Sequence, residues 1–311
     1  MPIRSTFCQS LLLLVLSALP VRAETFTHVT AENGVVQYDI HEDAGSGIYT
    51  EPSSGYQHKL TYKQGQRTTS EPVLVATLKP TSAEHFHGTS SLALEIAARD
   101  EIDTVKAAYK VSIDSAGGHD KFTPRVAEPK DWYHGFAMKI HSTDFSLPST
   151  GELIVEQWWQ GTPFHPPVAL VIVSPLDAKS HGSSNIGAAG NFALMLRDDE
   201  HNALNSTPGE PRYFDLGPVA LNEWLRWIVH VRPSPIDEKG AATVWLNDEQ
   251  KLKLENIKLG YNPDNPQYAD HKPSNRLASV NVCLYRMNGQ NFQRVWFDEI
   301  KFADQQADAA P

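Results

Sequence analysis

The sequence contains little cysteine, with only Cys8 and Cys283 among its 311 residues. Cys8 falls in an N-terminal segment typical of a signal peptide, in which Arg4 precedes an apolar run and a small-residue cleavage site ends at Ala23. We therefore assign residues 1–23 to a signal peptide and expect the mature chain to be secreted or periplasmic. Cys283 would then have no cysteine partner, so stability must come from the apolar core rather than from a disulfide.

Long apolar runs and positive charge are also scarce. After the N-terminal segment, no apolar run approaches the length of about 18 residues that a membrane-spanning helix needs. Lysine and arginine total 27 against 37 aspartates and glutamates, a net charge of −10, and loss of Arg4 and Arg22 would lower it to −12. These deficits predict no membrane and no nucleic-acid partner. An acidic substrate would need a locally basic surface.

Two common catalytic motifs are absent from the sequence. It contains neither a Gly-x-Ser-x-Gly nucleophile motif nor a glycine-rich phosphate loop. Their absence disfavours a serine hydrolase of the α/β type and a nucleotide-dependent enzyme. A long helical stripe, an internal repeat and a linker are missing as well.

Short strand-like runs dominate the sequence instead, among them VVQYDI, SLALEIA, WYHGFAMKI, VALVIV and NFALMLR. Most of them alternate with a period of two and are separated by Gly, Pro, Asn or Asp. This pattern predicts an all-β protein, an antiparallel β-sandwich of the concanavalin-like jelly-roll type. We expect one domain over residues 24–303, a disordered polar tail at 304–311, and a monomer.

One predicted strand, GELIVEQWWQG at 151–161, carries an amide and two tryptophans. Strict alternation places Leu153, Val155, Gln157 and Trp159 on one face and Glu152, Ile154, Glu156 and Trp158 on the other. If Gln157 and Trp159 face a groove, the amide can bind a sugar carboxylate, the indole can stack on a sugar ring, and Trp158 packs between sheets. The alternative is that both tryptophans are core and Gln157 is a satisfied buried amide.

A second predicted strand, SVNVCLYRM, combines an apolar row with a polar row. Val282 and Leu284 would face the core, so Asn281, Cys283 and Tyr285 would face outward or into a cleft. A tyrosine phenol can act as acid and base, although its pKa near 10 requires lowering by a cation or a hydrogen bond.

The order of motifs after about residue 125 is WYHGFAMKI, VEQWWQG with PPVALVI, NEWLRWIVHVRPSP, GAATVWLND, VNVCLYRMN and VWFDEIKFAD. This order resembles the jelly-roll polysaccharide lyases, a group that includes heparin lyase I, glucuronan lyase and some alginate lyases. The resemblance extends to about residue 302. It implies an exported enzyme that cleaves an acidic, uronic-acid-containing polysaccharide by β-elimination, with endo action.

The resemblance also implies roles for three residues. β-Elimination needs a neutralised carboxylate, a base for the C5 proton and an acid for the leaving glycosidic oxygen. By resemblance Gln157 is the carboxylate-neutralising amide and Tyr285 the proton-transfer residue. Arg125, in PRVAEPKDWY, stands where these lyases often have an arginine and would bind the carboxylate or lower the Tyr285 pKa. The alternative for Arg125 is a solvated arginine paired with Glu128.

The chain departs from the family pattern near these positions. Trp159 stands where the family commonly has a histidine, Asn281 where it has a lysine, and Cys283 where it has a glycine. His165, in the segment TPFHPP, could replace the missing imidazole, and Asn281 could bind a carboxylate as a neutral donor. We therefore treat Trp159, Asn281 and His165 as substrate-binding candidates.

Other chemistries have weaker support in the sequence. We predict no metal site, because His85 and His87 lack a third ligand at a recognisable spacing, and no required cofactor. The acidic turn at 198–201 leaves calcium as an alternative to a solvated charge cluster. A non-catalytic glycan-binding sandwich is the main rival function. A retaining glycosidase is the lesser one, since Glu152 and Glu156 would lie about 13 Å apart on one strand.

Overall fold

The fold is known from a computed structural model. The residues it describes are 25–29, 35–40, 44–50, 57–63, 65–66, 72–73, 76–96, 109–114, 125–126, 128–147, 151–161, 164–201, 210–268, 271–277, 279–286 and 292–311. The proposed signal peptide, 1–23, lies outside the described residues. No helix in the described part of the chain has both the length and the apolar character needed to cross a lipid bilayer.

Strands make up most of the described chain. In chain order they are β1 (Thr25–Val29), β2 (Val35–Ile40), β3 (Ala44–Thr50), β4 (Gln57–Lys63), β5 (Gly65–Gln66), β6 (Pro72–Val73), β7 (Ala76–Thr81), β8 (Ser91–Ile96), β9 (Tyr109–Asp114), β10 (Trp132–Lys139), β11 (Glu152–Trp159), β12 (Val168–Val173), β13 (Asn191–Leu196), β14 (Arg212–Pro218), β15 (Trp224–Arg232), β16 (Gly240–Leu246), β17 (Glu249–Ile257), β18 (Ser279–Arg286) and β19 (Gln293–Ala303). The helices are α1 (Pro175–Ser180) and α2 (Gln306–Ala309), with a 3-10 turn at Pro266–Tyr268.

The strands form two large antiparallel sheets. Sheet A has the order β17-β16-β15-β10-β19-β8-β7, with β1 paired to β19. Sheet B has the order β14-β13-β12-β11-β18-β9-β4-β3-β2. The predicted antiparallel β-sandwich is therefore confirmed, and β11 and β18, the strands that carry the candidate site, are neighbours near the middle of sheet B.

The apolar core lies between the two sheets. Phe136 and Trp227 enter it from sheet A, and Trp158, Leu170 and Val282 enter it from sheet B. Trp158 is fully buried, as predicted, and a truncation of such a side chain costs about 3–5 kcal/mol. This two-layer core leaves the opposite face of sheet B for other contacts. We call that side the outer face of sheet B.

The alternation predicted for β11 is wrong in its first half. Leu153 and Val155 lie in the core, but so do Glu156 and Trp158, while Ile154 packs with residues of the outer face.

The cause of this difference is a β-bulge between Ile154 and Glu156, which shifts the register against both β12 and β18. A bulge adds one residue to a strand and thereby exchanges the faces on its two sides. Gln157 and Trp159 consequently share the outer face with Ile154 rather than with Leu153.

Glu156 lies next to the bulge and contacts His134 between the two layers. Its Oε1 atom is 3.1 Å from Nδ1 of His134 on β10, and both side chains are fully buried. Burial raises the pKa of the Glu156 carboxyl, against the contributions of His134 and Trp158. The pair joins sheet A to sheet B one residue before Gln157.

The C-terminal tail differs from the prediction of disorder. Residues 306–309 form α2, where Ala309 is buried against Ile228 and Ala303. Lys301 donates a hydrogen bond of 2.8 Å to the carbonyl oxygen of Ala310. The close approach requires Gly135 on β10, because a Cβ atom there would overlap the Ala309 carbonyl. Composition alone did not reveal this docking position, which is formed by three strands of sheet A.

Candidate active site

The outer face of sheet B gathers most of the predicted site residues. Gln157 on β11 is the register partner of Asn281 on β18, and Ile154 is the partner of Tyr285. Partnered residues on neighbouring antiparallel strands point to the same face. Val280, Val282 and Leu284 lie in the core, so the alternation predicted for β18 is confirmed.

The side chains around these residues are small or apolar. The cluster contains Ile154, Ala169, Val171, Val173, Ala178, Ala193, Met195 and Cys283, with Tyr213 and Tyr285 packed against it. Helix α1 follows β12 and contributes Ala178, which covers one end of the face. A platform of this kind offers little hydrogen bonding, so its few polar groups decide what it can bind.

Gln157 is a buried amide without a hydrogen-bond partner among the described residues. Its exposed fraction is 2%, and no hydrogen bond involves its side chain within the described chain. Gln160, three residues later, differs because its side chain is hydrogen-bonded to other parts of the protein. It donates to the carbonyl oxygens of Tyr261 at 2.6 Å and Ser274 at 2.8 Å, and it accepts from the Tyr261 amide at 2.8 Å. Gln160 is thus the satisfied structural amide, and Gln157 retains its hydrogen-bonding capacity.

Asn281 extends the polar patch next to Gln157. Its Nδ2 atom donates to Oγ of Ser279 at 2.5 Å, and its buried Oδ1 atom has no partner among the described residues. A carboxylate only accepts hydrogen bonds, so the groups that could hold one here are the side-chain N–H groups of Gln157 and the second Nδ2 hydrogen of Asn281.

Tyr285 lies on the same face, four residues along β18 from Asn281, a separation of about 13 Å. Burial raises the pKa of its phenol, and the charges of Cys283 and Glu152 raise it further. Glu152 also accepts a hydrogen bond of 2.7 Å from the Tyr213 hydroxyl. His181 stacks on the Tyr213 ring at 3.9 Å, which closes this end of the face. The described surroundings therefore raise the Tyr285 pKa, so only the ionised fraction of Tyr285 can act as a base.

Trp159 and His165 lie at the opposite end of the face. Trp159 is half-buried, and its indole Nε1 donates to the carbonyl oxygen of Phe164 at 2.8 Å. His165 follows Phe164 and is exposed. Burial of part of its ring lowers the pKa of His165, and the nearby charge of Arg197 lowers it further.

Arg125 does not join this group. It is exposed, forms a bridge with Arg276 ahead of β18, and pairs with Glu128 at 2.9 Å. Its bridge partner, Arg276, precedes β18 and is not one of the residues of the face that carries Gln157 and Tyr285. The causes of the raised Tyr285 pKa do not include Arg125. Its arrangement matches the alternative of a surface arginine paired with Glu128.

Sequence reasoning missed Arg197, a further cation of the outer face. It follows β13, in which Phe192 and Leu194 lie in the core while Ala193 and Met195 lie on the outer face. Its Nη2 atom is 3.9 Å from Sδ of Met195, so the guanidinium lies on that side. The alternation of NFALMLR carried this signal, but a terminal arginine is usually solvated.

The acidic turn predicted as a calcium alternative is engaged with protein groups. Asp198 binds Arg212 at 2.9 Å and His201 at 2.8 Å. Asp199 accepts hydrogen bonds from Asn265 and from the Tyr268 hydroxyl, both at 2.9 Å. Within the described residues, no group of three or more His, Cys, Asp or Glu side chains is arranged to hold a metal ion.

Comparison with known proteins identifies a matching family and structures of similar fold. Residues 55–301 match the family model described as polysaccharide lyase. A search of curated protein sequences finds no match. The chain is similar to the structure of an endo-β-1,4-glucuronan lyase from the fungus Trichoderma reesei, with 17% identity and a TM-score of 0.54 over 80% of this chain and 97% of that chain.

Two further structures are similar at lower scores. One is an alginate lyase from Pseudomonas aeruginosa, with 16% identity and a TM-score of 0.41 over 69% of this chain and 83% of that chain. The other is the catalytic domain of a glycoside hydrolase family 131 protein from Coprinopsis cinerea, with 9% identity and a TM-score of 0.42 over 84% of this chain and 89% of that chain. At these identities we take no residue role from any of the three.

Proposed function

The chain belongs to the polysaccharide lyase family, whose model spans residues 55–301, and on that premise we propose that it cleaves a uronic-acid-containing polysaccharide by β-elimination. The observation that carries the proposal is the shared outer face of Gln157, Asn281 and Tyr285. Two amides that can still form hydrogen bonds and one phenol are the kinds of side chain that such a reaction needs.

The proposed mechanism assigns one task to each group. The side-chain N–H groups of Gln157 and Asn281 donate hydrogen bonds to the uronate carboxylate and stabilise its negative charge, so the C5 proton becomes more acidic. The Tyr285 phenolate removes that proton, the C5–H electrons form the C4–C5 double bond, and the C4–O bond breaks. The same phenol then donates its proton to the leaving glycosidic oxygen. Asn281 and Tyr285 are about 13 Å apart along β18, so the mechanism requires the amide and phenol side chains to lean toward each other over one sugar.

Endo action and export are further parts of the proposal. Sheet B continues on both sides of the β11–β18 pair, through β12 to β14 on one side and β9 to β2 on the other. A polymer that crosses these strands can therefore extend in both directions. Export follows from the signal peptide proposed at 1–23. The acidic polysaccharide is the only partner we propose, with the protein as a monomer.

Incubation with glucuronan, alginate, heparin and related polyuronates tests the reaction. We expect ultraviolet absorbance from unsaturated uronate ends with at least one polymer, and a rapid fall in viscosity if cleavage is internal. Tyr285→Phe should reduce turnover by at least about a hundredfold with little change in stability. Tyr133→Phe, a half-buried tyrosine on sheet A, is the matched control and should retain full turnover.

A non-catalytic glycan-binding function is the second candidate. The observations that favour it are Trp159 and Asn281 in place of a histidine and a lysine, together with the raised pKa of Tyr285. Binding without cleavage across the whole panel would support it. New reducing ends without ultraviolet absorbance would instead indicate a hydrolase, and either result would contradict the lyase proposal.

A further inference from the structure

Arg197 is a buried cation without an anionic partner in the described structure. Its exposed fraction is 7%, and its Nε and Nη1 atoms make no hydrogen bond. Its Nη2 atom has only the Met195 sulfur, at 3.9 Å. An unpaired buried charge costs several kcal/mol, so a guanidinium in this state points to a missing anion.

The neighbours of Arg197 do not supply that anion. Its charge acts on His165, Tyr213 and Tyr261, side chains that are neutral at pH 7. The adjacent carboxylates, Asp198 and Asp199, are bound to other groups. The sequence offers none at 162–163 or 202–209, which contain no aspartate or glutamate.

The position of Arg197 relates it to the proposed substrate site. Met195, Ala169 and Gln157 are successive register partners across β13, β12 and β11, and Arg197 lies two residues beyond Met195. Strands of a sheet are about 4.8 Å apart and each residue rises about 3.3 Å along a strand, so the Cα atoms of Gln157 and Arg197 stand about 12 Å apart. That distance is comparable with the length of two linked pyranose rings.

We propose that Arg197 forms a second carboxylate subsite, which binds a uronate neighbouring the one held by Gln157 and Asn281. This inference rests on the proposed function and adds a requirement to it, namely that the substrate carries closely spaced carboxylates. Arginine suits the task because its planar fork binds a carboxylate through two parallel hydrogen bonds.

Oligosaccharides of increasing length test the subsite. The probes are β-1,4-linked oligoglucuronates and oligomannuronates of two to six units, titrated calorimetrically into full-length Tyr285→Phe protein to prevent cleavage. We expect the affinity to rise at least about tenfold at the length that first reaches Arg197. Arg197→Met should abolish this step and leave the affinity for shorter oligomers within about twofold. Cello-oligosaccharides, which lack the carboxylate, should show no step.

Two further variants separate binding from folding. Arg226→Met is the matched control, because Arg226 is paired with Asp248 on sheet A and its loss changes the net charge equally. Arg226→Met should retain the rise in affinity at that oligosaccharide length. Arg197→Lys should retain part of it. Since Arg197→Met removes an unpaired buried charge, its melting temperature should stay equal or rise.

The outcomes distinguish this inference from the function on which it rests. A step that persists in Arg197→Met, equal weakening at all lengths, or a melting temperature lowered by several degrees would each overturn the second subsite alone. If no oligouronate binds to the Tyr285→Phe protein that retains Arg197, the proposed substrate class fails together with the subsite.

Discussion

Gln157 and Gln160 have the same side chain and lie three positions apart, yet their surroundings assign them different tasks. Gln160 is held by two donated bonds and one accepted bond, which tie the end of β11 to the loop at Tyr261. Gln157 makes none within the described chain. The comparison supports a ligand-binding role for Gln157, because its amide is not bonded to any group of the described chain and stays available to a ligand.

Substitution by alanine should separate the two glutamines. Gln160→Ala should lower the free energy of unfolding by about 2–4 kcal/mol, because it leaves two buried backbone groups and one partly buried backbone group unpaired. Gln157→Ala should change stability by less than about 1 kcal/mol and weaken oligouronate binding at least tenfold. Urea denaturation and calorimetric titration measure the two effects. Equal destabilisation by both variants would contradict the assignment.

The charge of Glu152 should control the pH dependence of the reaction through Tyr285. Burial, Cys283 and Glu152 raise the pKa of the phenol, so turnover that needs the phenolate should increase toward alkaline pH. Glu152→Gln removes one of these causes and keeps an oxygen for the Tyr213 hydroxyl. The rising limb of the pH–rate profile should therefore move to lower pH. An unmoved limb would show that Tyr285 is not the group that titrates.

At the scale of the strand, one β-bulge in β11 decides which residues form the site. Without the register shift between Ile154 and Glu156, strict alternation would put Ile154 on the face opposite Gln157. With it, Ile154 and Gln157 share the outer face, and Glu156 reaches His134 in the core. A single inserted residue thus aligns the amide with Asn281 and Tyr285 on β18.

The docking of α2 on sheet A gives a prediction for Gly135. Gly135→Ala in the full chain should cost about 1–3 kcal/mol, because the added Cβ overlaps the Ala309 carbonyl. In a chain truncated after Ala303, the same substitution should cost less than about 0.5 kcal/mol, since the overlapping group is gone. Thermal denaturation of the four proteins measures the coupling. Equal costs in both backgrounds would mean that the tail does not set the requirement for glycine.

At the scale of the whole molecule, the two sheets are joined by a buried polar pair as well as by apolar packing. His134 and Glu156 come from different sheets and lie in the core without solvent contact. Oε2 of Glu156 has no hydrogen-bond partner among the described residues. Such a pair contributes little net stability but fixes the alignment of the layers if both partners are present.

Stability should depend on pH through Glu156. Because the pKa of this carboxyl is raised in the folded state, its contribution is present below the unfolded value of 4.5 and is lost as pH rises through the folded value. Glu156→Gln should remove this loss of stability at higher pH. The variant should be more stable than the wild type at pH 8 by on the order of 1 kcal/mol and similar near pH 4. Urea denaturation at both pH values measures this, and a variant less stable at pH 8 would reverse the argument.

Much of the fold could be predicted from local patterns, and the site only in part. Period-two alternation located the strands and correctly separated Val282 and Leu284 from Asn281 and Tyr285. The same rule failed before Gln157, because a bulge depends on the register of both neighbouring strands. It also missed Arg197, whose burial depends on residues distant in sequence.

The sequence by itself determined the fold class, the resemblance to a lyase family and the outward row of β18, because alternation and motif order are properties of the chain alone. Only the tertiary structure decided that Gln160 rather than Gln157 is tied to the protein, that Arg125 lies apart from Tyr285, and that the tail docks on Gly135. The physical reason is that hydrogen-bond satisfaction, burial of charge and close backbone approach are set by partners from other strands.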